Sequence, residues 1–550
     1  MDLQRTLLIA GLVVVGYLMV LQWNQDYNQP QPISQTAQQH TGSTPDAPGI
    51  QATTDVPAIS GGDTNNQAGT APTPSAQLIT ITTDTLILTV DTLGGDIVRA
   101  ELPQFTRTKG ETTPFILLEN TANRMFVAQS GLAGLNGPNR LGKPQYSADS
   151  TRYTMGDKET LTVDLMLETD SNVAITKRLT FQRGAYQIGV DYIIHNGSDS
   201  SWQGNFYGQF KRDNSADPSR EMSKSSGMNT YLGAAVRSNE KLYEKLAFSD
   251  FGSEPFKEDV EGGYAAVVQH YFVSAWIPKQ EQNNTFTTRI VNDENIVSVI
   301  EPAVTIAPDQ NATVGATLYL GPKNQDRLSV LAKGLDLTID YGMLWWFAKP
   351  LFMLLNLLQS LLGNWGWSII TLTIIVKSLF YPLSATSYRS MAKMRKLGPK
   401  MEVLKEKHSE DRQALSQAMM TLYKEEKVNP MGGCLPILIQ MPVFIALYWV
   451  LLESVELRHA PWILWIQDLS QMDPYFILPL IMGASMFVQQ LLSPAPPDPM
   501  QAKVMKLMPI IFTFFFLWFP AGLVLYWVTN NLLSISQQWY ITRKIEAETD

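Results

Sequence analysis

The 550-residue chain has little of what enzymes use for chemistry. Its one cysteine, Cys434, excludes a disulfide within the chain, and cysteine usage identifies no redox compartment. Five scattered histidines, and no His-Glu-x-x-His, Gly-x-Ser-x-Gly or phosphate-cradling glycine loop, leave no nucleophile, metal site or nucleotide site to assign. No enzymatic activity and no cofactor are expected. Charged residues make up only 17% and the net charge of −9 is unevenly spread, so acidity says little about partners. Residues 24–76 lack large apolar side chains almost entirely. They cannot bury enough surface to offset the entropy of ordering, and read as a flexible linker.

What is present divides unequally. A mean hydropathy of −0.06 averages two different halves. After Arg5 runs the apolar stretch Leu7–Leu21, ending at Gln22-Trp23 with no Ala-x-Ala cleavage pattern. Residues 1–23 therefore read as an uncleaved signal-anchor helix with Trp23 at the interface. From Gln77 the pattern alternates: Leu78-Ile-Thr-Ile-Thr, then Leu161–Glu168, Ala174–Phe181, Tyr186–Ile194, Tyr264–Trp276 and Val314–Leu320, separated by Gly, Asn, Asp and Pro clusters. Residues 77–341 are expected to form one large antiparallel sandwich, closing on a short helical connector at Asn324–Leu335.

The second half carries the membrane candidates. They are the run around Lys377, then Cys434–Leu452, Tyr475–Leu492 and Met508–Tyr540. The last is too long for one crossing of ~20 residues and is split by Phe519-Pro520-Ala521-Gly522 into a hairpin. Residues 342–363 are apolar, but Lys349, Asn356 and Ser360 form one stripe. The loop 384–429 carries ten Lys/Arg against six acids, whereas the loop Glu453–Asp473 has one Arg. A basic loop belongs in the cytoplasm, so 342–363 is expected to lie in the outer interface rather than span. Residues 364–550 then form a five-span core, six spans with the anchor. Both termini and the basic loop are cytoplasmic, and the β domain is external.

Lys377 is the costly residue, because a charge at the centre of a lipid-facing helix costs at least ~2.5–3.5 kcal/mol. It lies about six residues, roughly 9 Å, from the cytoplasmic end of its helix, so its amine can snorkel to the headgroups. Alternatively it faces a wet interior. Thr373 lies one turn away, Gln440 in the next span, and Thr529, Asn530, Ser534 and Gln537 recur at helical intervals in the last. Singly, each is an ordinary interhelical hydrogen-bond partner; together they suggest a hydrated cavity. In the basic loop, Met391, Met394, Leu397, Met401 and Leu404 form one apolar stripe, with Leu415, Met419 and Leu422 as its counterpart. They predict a helical hairpin that projects cations outward. That surface is either simply solvated or docks acidic lipid, ribosomal RNA or a nascent chain.

The strings Asn429-Pro-Met-Gly-Gly-Cys-Leu-Pro-Ile-Leu-Ile-Gln440-Met-Pro442, Phe514-Phe-Phe-Leu-Trp-Phe-Pro-Ala-Gly-Leu-Val-Leu-Tyr526-Trp527 and Tyr388-Arg-Ser-Met-Ala-Lys-Met-Arg395 closely resemble the YidC membrane-insertase family. The resemblance covers essentially the whole chain and is to the Gram-negative form with a periplasmic β-supersandwich. It implies a protein of the bacterial inner membrane that inserts and helps fold other inner-membrane proteins. A hydrophilic groove open to cytoplasm and lipid would capture acidic segments of nascent inner-membrane proteins, alone or beside the Sec translocon. The implied groove positions are Lys377, Thr373, Gln440, Tyr526, Trp527 and Asn530. Tyr388, Arg389, Lys393, Arg395 and Lys396 are the implied docking-loop positions for a ribosome or lipid. Lys377 stands where the family commonly has arginine, which keeps the charge but not the planar fork. Trp527 stands where tyrosine is common. Two rivals remain at this point: an anion channel or transporter using the Lys377 cavity, and a membrane-tethered sugar-binding protein acting through the β domain.

Overall fold

The computed structural model describes residues 55–57, 77–219, 230–408, 411–426, 435–493 and 499–547. The anchor 1–23, most of the linker, and the Asn429–Cys434 part of the Asn429–Pro442 string lie outside them.

Alternating side chains build two stacked sheets. One has eleven strands, with Arg124–Ala133, Trp202–Arg212, Glu294–Ile300 and Asn283–Val291 adjacent in that order. The other has eight, in which Gln310–Pro322 lies between Phe272–Ile277 and Gln187–Asn196. Phe206, Phe210 and Trp276 fill the space between the sheets, with ring centroids 6.1 and 6.3 Å apart. Gly208 is required there: a Cβ would come within 2.6 Å of the Trp276 ring. The expected sandwich is present, with two corrections. Leu78–Thr82 pairs in parallel with Arg152–Thr154, so the sheet is not wholly antiparallel. Tyr264–Trp276 is not one strand but a hairpin, Ala265–Val268 and Phe272–Ile277. Every residue of both strands is buried, which erases the alternation that would have revealed the turn.

The connector is helix α1 (Gln325–Leu331), capped by the Asn324 side chain, which accepts from the Arg327 N–H. Among the described residues nine more helices follow: α2 (Trp345–Leu362), α3 (Trp365–Leu379), α4 (Tyr381–Lys396), α5 (Gly398–Lys407), α6 (Arg412–Glu425), α7 (Leu435–Glu453), α8 (Ile477–Leu492), α9 (Pro499–Phe516) and α10 (Ala521–Ala547). Gly363, at φ 68°, ends α2 in a left-handed conformation, and the Asn364 side chain accepts from Gly366 and Trp367 N–H to start α3. Pro382 near the start of α4 cannot donate to the carbonyl four residues back, and α4 leaves α3 at 68°. The break between α9 and α10 falls at residues 517–520, where the Pro-Ala-Gly sequence placed it.

Leu480, Phe487, Leu491, Leu507, Ile510, Phe514 and Phe515 are exposed on α8 and α9, an apolar belt unsuited to water. Yet among the described residues no single helix is long and apolar enough to cross a membrane; the bent pair α3–α4 is, taken together. Helix α3 has 15 residues and α8 has 16. At 1.5 Å per residue these run ~22–24 Å, short of a ~30 Å hydrocarbon core.

The β domain is locked to the helices by the turn after α7. Lys323 Nζ donates to Glu453 Oε2 at 2.6 Å, with both side chains almost fully buried. His270 Nε2 lies 2.9 Å from the Leu452 carbonyl, and Asn324 Nδ2 donates to Glu456 Oε1 at 3.2 Å. Arg458 donates to the Thr106 carbonyl. Val455 packs in the β domain's own core cluster.

Candidate groove and docking surface

Helix α10 is the hub of the candidate groove, packing against α3, α4, α7 and α8. Its polar residues Asn530, Asn531, Ser534 and Gln538 are buried, although the helix lies among apolar neighbours. Each is tied down. Gln440 Nε2 on α7 donates to Asn530 Oδ1 at 2.9 Å, and Asn530 Nδ2 returns a bond to Gln440 Oε1 at 3.2 Å. Asn531 Nδ2 donates to Ser485 Oγ on α8 at 3.0 Å, and Gln538 Nε2 to the Leu492 carbonyl. These side-chain bonds between helices fix α7, α8 and α10 where dispersion alone gives little orientation.

Lys377 is treated differently. It is 2% exposed on α3, and its ammonium finds no hydrogen-bond partner among the described residues. Gln440 and Asn530 bond each other rather than the lysine. Thr373, one turn earlier and equally buried, turns its hydroxyl back to the Ile369 carbonyl at 2.7 Å. Ser384 and Ser387 on α4 are also buried. A buried cation without a protein partner needs water or an incoming anion to offset its desolvation.

Of the two aromatic positions, Tyr526 is 3% exposed. The Trp527 ring is half-buried among Phe444 of α7 and Phe516 of α9, at 4.7 and 5.5 Å. The indole Nε1 has no partner among the described residues. Thr529 and Ser534 donate to carbonyls four residues back.

The expected helical hairpin forms as α5 and α6, with Leu397, Met401 and Met419 buried and Met394, Leu415 and Leu422 packed against them. Tyr423 joins this seam, its hydroxyl 3.2 Å from Met401 Sδ. Aromatic residues at the end of a charged helix gave no signal of that. Asp411 caps α6, and the Ala414 and Gln413 N–H groups hold its carboxyl below the usual range. A cleft of about 510 Å³ opens between the two helices, with Leu404 and Leu422 inside and Lys400, Lys407 and His408 at its edges. Two expectations change here. Met391 leaves the seam and packs with Tyr388 and Ala385 on Ile541 of α10. Tyr388, expected on the docking surface, is 2% exposed; Arg389, Lys393, Arg395 and Lys396 do face outward. The sequence also gave no sign of the Lys323–Glu453 junction.

A two-sheet sandwich set on a helical bundle with an apolar belt, and a buried cation that has no partner among the described residues, defines a two-module protein of the membrane–water boundary. Residues 78–354 match the YidC periplasmic domain family, and residues 357–548 match the family described as 60Kd inner membrane protein. A membrane protein insertase YidC of Stutzerimonas stutzeri (strain A1501) is 55% identical over 560 residues, covering 100% of this chain and 99% of its own. One from Ectopseudomonas mendocina (strain ymp) is 52% identical over 580 residues, with the same coverage. A solved structure described as an active YidC insertase with the first transmembrane domain resolved matches 85% of this chain and 93% of its own at 18% identity and a TM-score of 0.37. The chain belongs to the YidC family: it is an inner-membrane protein insertase, acts on membrane proteins and is not an enzyme in the usual sense.

Proposed function

We propose that insertion runs through a groove bounded by α3, α4, α7 and α10, with Lys377 as its capture residue. The observation that carries this is the buried Lys377 ammonium, which has no partner among the described residues, beside a Gln440–Asn530 pair and an Asn531–Ser485 pair that bond each other instead of the lysine. An acidic translocated segment supplies the missing counter-charge, and the burial that makes the cation costly alone makes it attractive to a carboxylate. Thr373 supplies a hydroxyl next to it, and the Gln440–Asn530 pair sets the spacing of α7 and α10. Half-buried Trp527 lines the exit, with Tyr526 buried beside it, where a hydrophobic segment passes aromatic surface into lipid. The exposed apolar faces of α8 and α9 support direct lipid contact.

The topology we infer is six crossings with both termini in the cytoplasm and the β domain in the periplasm, α2 lying in the outer interface. The exposed Trp345, Trp346, Leu357 and Leu361 on α2 suit that position. Helices shorter than the hydrocarbon core thin the surrounding bilayer, which lowers the barrier for a passing polar segment. Exposed Arg389, Lys393, Arg395 and Lys396 offer phosphate or carboxylate docking to a ribosome or acidic lipid, and work beside the Sec translocon is part of this reading. The test is photo-crosslinking of a stalled nascent membrane protein to positions 373, 377, 440 and 527. Adducts at these four sites are expected. Adducts confined to the β domain would overturn the groove.

A further inference from the structure

Three residues of the linker are described, and all three are docked. The Asp55 carboxylate accepts from Lys211 Nζ at 3.0 and 3.2 Å. The Asp55 carbonyl accepts from Gln209 Nε2 at 2.7 Å and from Arg289 Nη2 at 2.8 Å. Val56 packs on Ala133, Tyr207 and Ile300, an apolar cluster separate from the main core, and Pro57 is buried.

The receiving surface is the face of the eleven-stranded sheet turned away from Phe206 and Phe210. Gln129, Gln209, Ser298 and Thr287 lie opposite one another on four adjacent strands, forming a polar row across the sheet. Gln209 Nε2 donates to Gln129 Oε1 at 2.9 Å, Arg289 Nη2 to Gln209 Oε1 at 2.7 Å, and Arg289 Nη1 to Ser298 Oγ at 3.0 Å. Gln129, Gln209 and Ser298 are at most 3% exposed. Such a row is held rigid by its own bonds, and its remaining donors aim at one carbonyl and one carboxylate.

We propose that this row is a peptide cleft for an extended, acid-bearing segment and that its occupant is the chain's own Asp55-Val56-Pro57, which clips the linker to the β domain. Lys211 supplies the charge for the aspartate, and Gln209 with Arg289 reads the backbone carbonyl. The patch of Ala133, Tyr207 and Ile300 takes a small branched side chain, and a proline, having no N–H to satisfy, follows it into the buried position. Lys211 also sits 2.6 Å from Glu294, so the cleft keeps its shape when the clip leaves. The clip changes the reach of the tether. The stretch between anchor and sandwich runs from residue 24 to 55 rather than to 77, so its fully extended limit falls from ~190 Å to ~110 Å at ~3.6 Å per residue.

The test uses the full-length protein in detergent with Cys434→Ser and Val56→Cys, following the rate of maleimide labelling against an exposed reference, Ser171→Cys. Docking predicts that Cys at position 56 reacts about tenfold more slowly than the reference, a ratio that corresponds to ~1.4 kcal/mol of protection. Adding Asp55→Lys is expected to raise the rate to that of the reference, and Asp55→Asn, which keeps the carbonyl contact, to an intermediate value. The far-ultraviolet circular dichroism of each variant checks that the fold is intact. Labelling at the reference rate without Asp55→Lys overturns the clip. Slow labelling that persists with Asp55→Lys overturns the assignment of Asp55 as its anchor.

Discussion

Two buried lysines show how position decides what a cation does. Lys177 lies between the sheets, 2% exposed, its amine donating to the Gly95 carbonyl at 2.7 Å and lying over the Tyr192 ring at 5.4 Å. Burial lowers its pKa from 10.5 to about 8. The folded chain therefore releases this proton first, and between pH 8 and 10.5 the unfolded chain holds more. Stability rises with pH through that window and is flat below it. From pH 8 to 9.5 the gain is about 2 kcal/mol at ~1.4 kcal/mol per unit. Thermal unfolding of the β domain should show this slope, and Lys177→Met should remove it. Lys377 has no such carbonyl partner among the described residues, and in the proposed groove its charge is left for a substrate. Lys377→Arg is expected to insert substrates as the parent does. Lys377→Glu is expected to slow substrates with acidic translocated segments about tenfold or more, a loss of ~1.4 kcal/mol in the barrier. Substrates with neutral segments are the control. Normal insertion of acidic substrates by Lys377→Glu would remove electrostatic capture from the mechanism.

At the scale of elements, the turn after α7 joins the two modules. Removing one member of a buried ion pair leaves the other charge uncompensated, at a cost of about 3–5 kcal/mol, whereas replacing both by apolar residues is often neutral. Lys323→Met alone should loosen the β domain from α7, seen as faster proteolysis at residues 323–341 and a lower melting temperature. Lys323→Met with Glu453→Leu should recover most of the loss. If the double variant is no better than the single one, the pair does more than fasten the modules. The elements differ in how visible they were. Amphipathic α5 and α6 were legible because one face is solvated and the apolar positions recur at helical spacing. The Phe519–Gly522 break was legible because proline stops a helix wherever it is placed. The turn at Gln269–Tyr271 was hidden, since both flanking strands are buried on both faces.

For the whole molecule, alternation and apolar runs revealed the two-module plan, but nothing about how the modules meet. Lys323 and Glu453 are 130 residues apart, and a contact at that separation leaves no local pattern. Asp55-Val56-Pro57 was invisible for the opposite reason: its composition matches the linker around it, and its hydrogen-bond partners lie more than 150 residues away. The buried Lys377 was legible as an anomaly, while the reciprocal bonding of Gln440 with Asn530, which leaves it alone, required coordinates. The Val455 contact sets a timetable for biogenesis. During synthesis the sandwich emerges lacking one member of its core, which arrives only after about 130 further residues have been made. At ~5–20 residues per second that is a wait on the order of ten seconds. Throughout it the Val455 position in the core is unfilled and Lys323 lacks Glu453, so the insertase passes through an interval in which its own sandwich is incomplete.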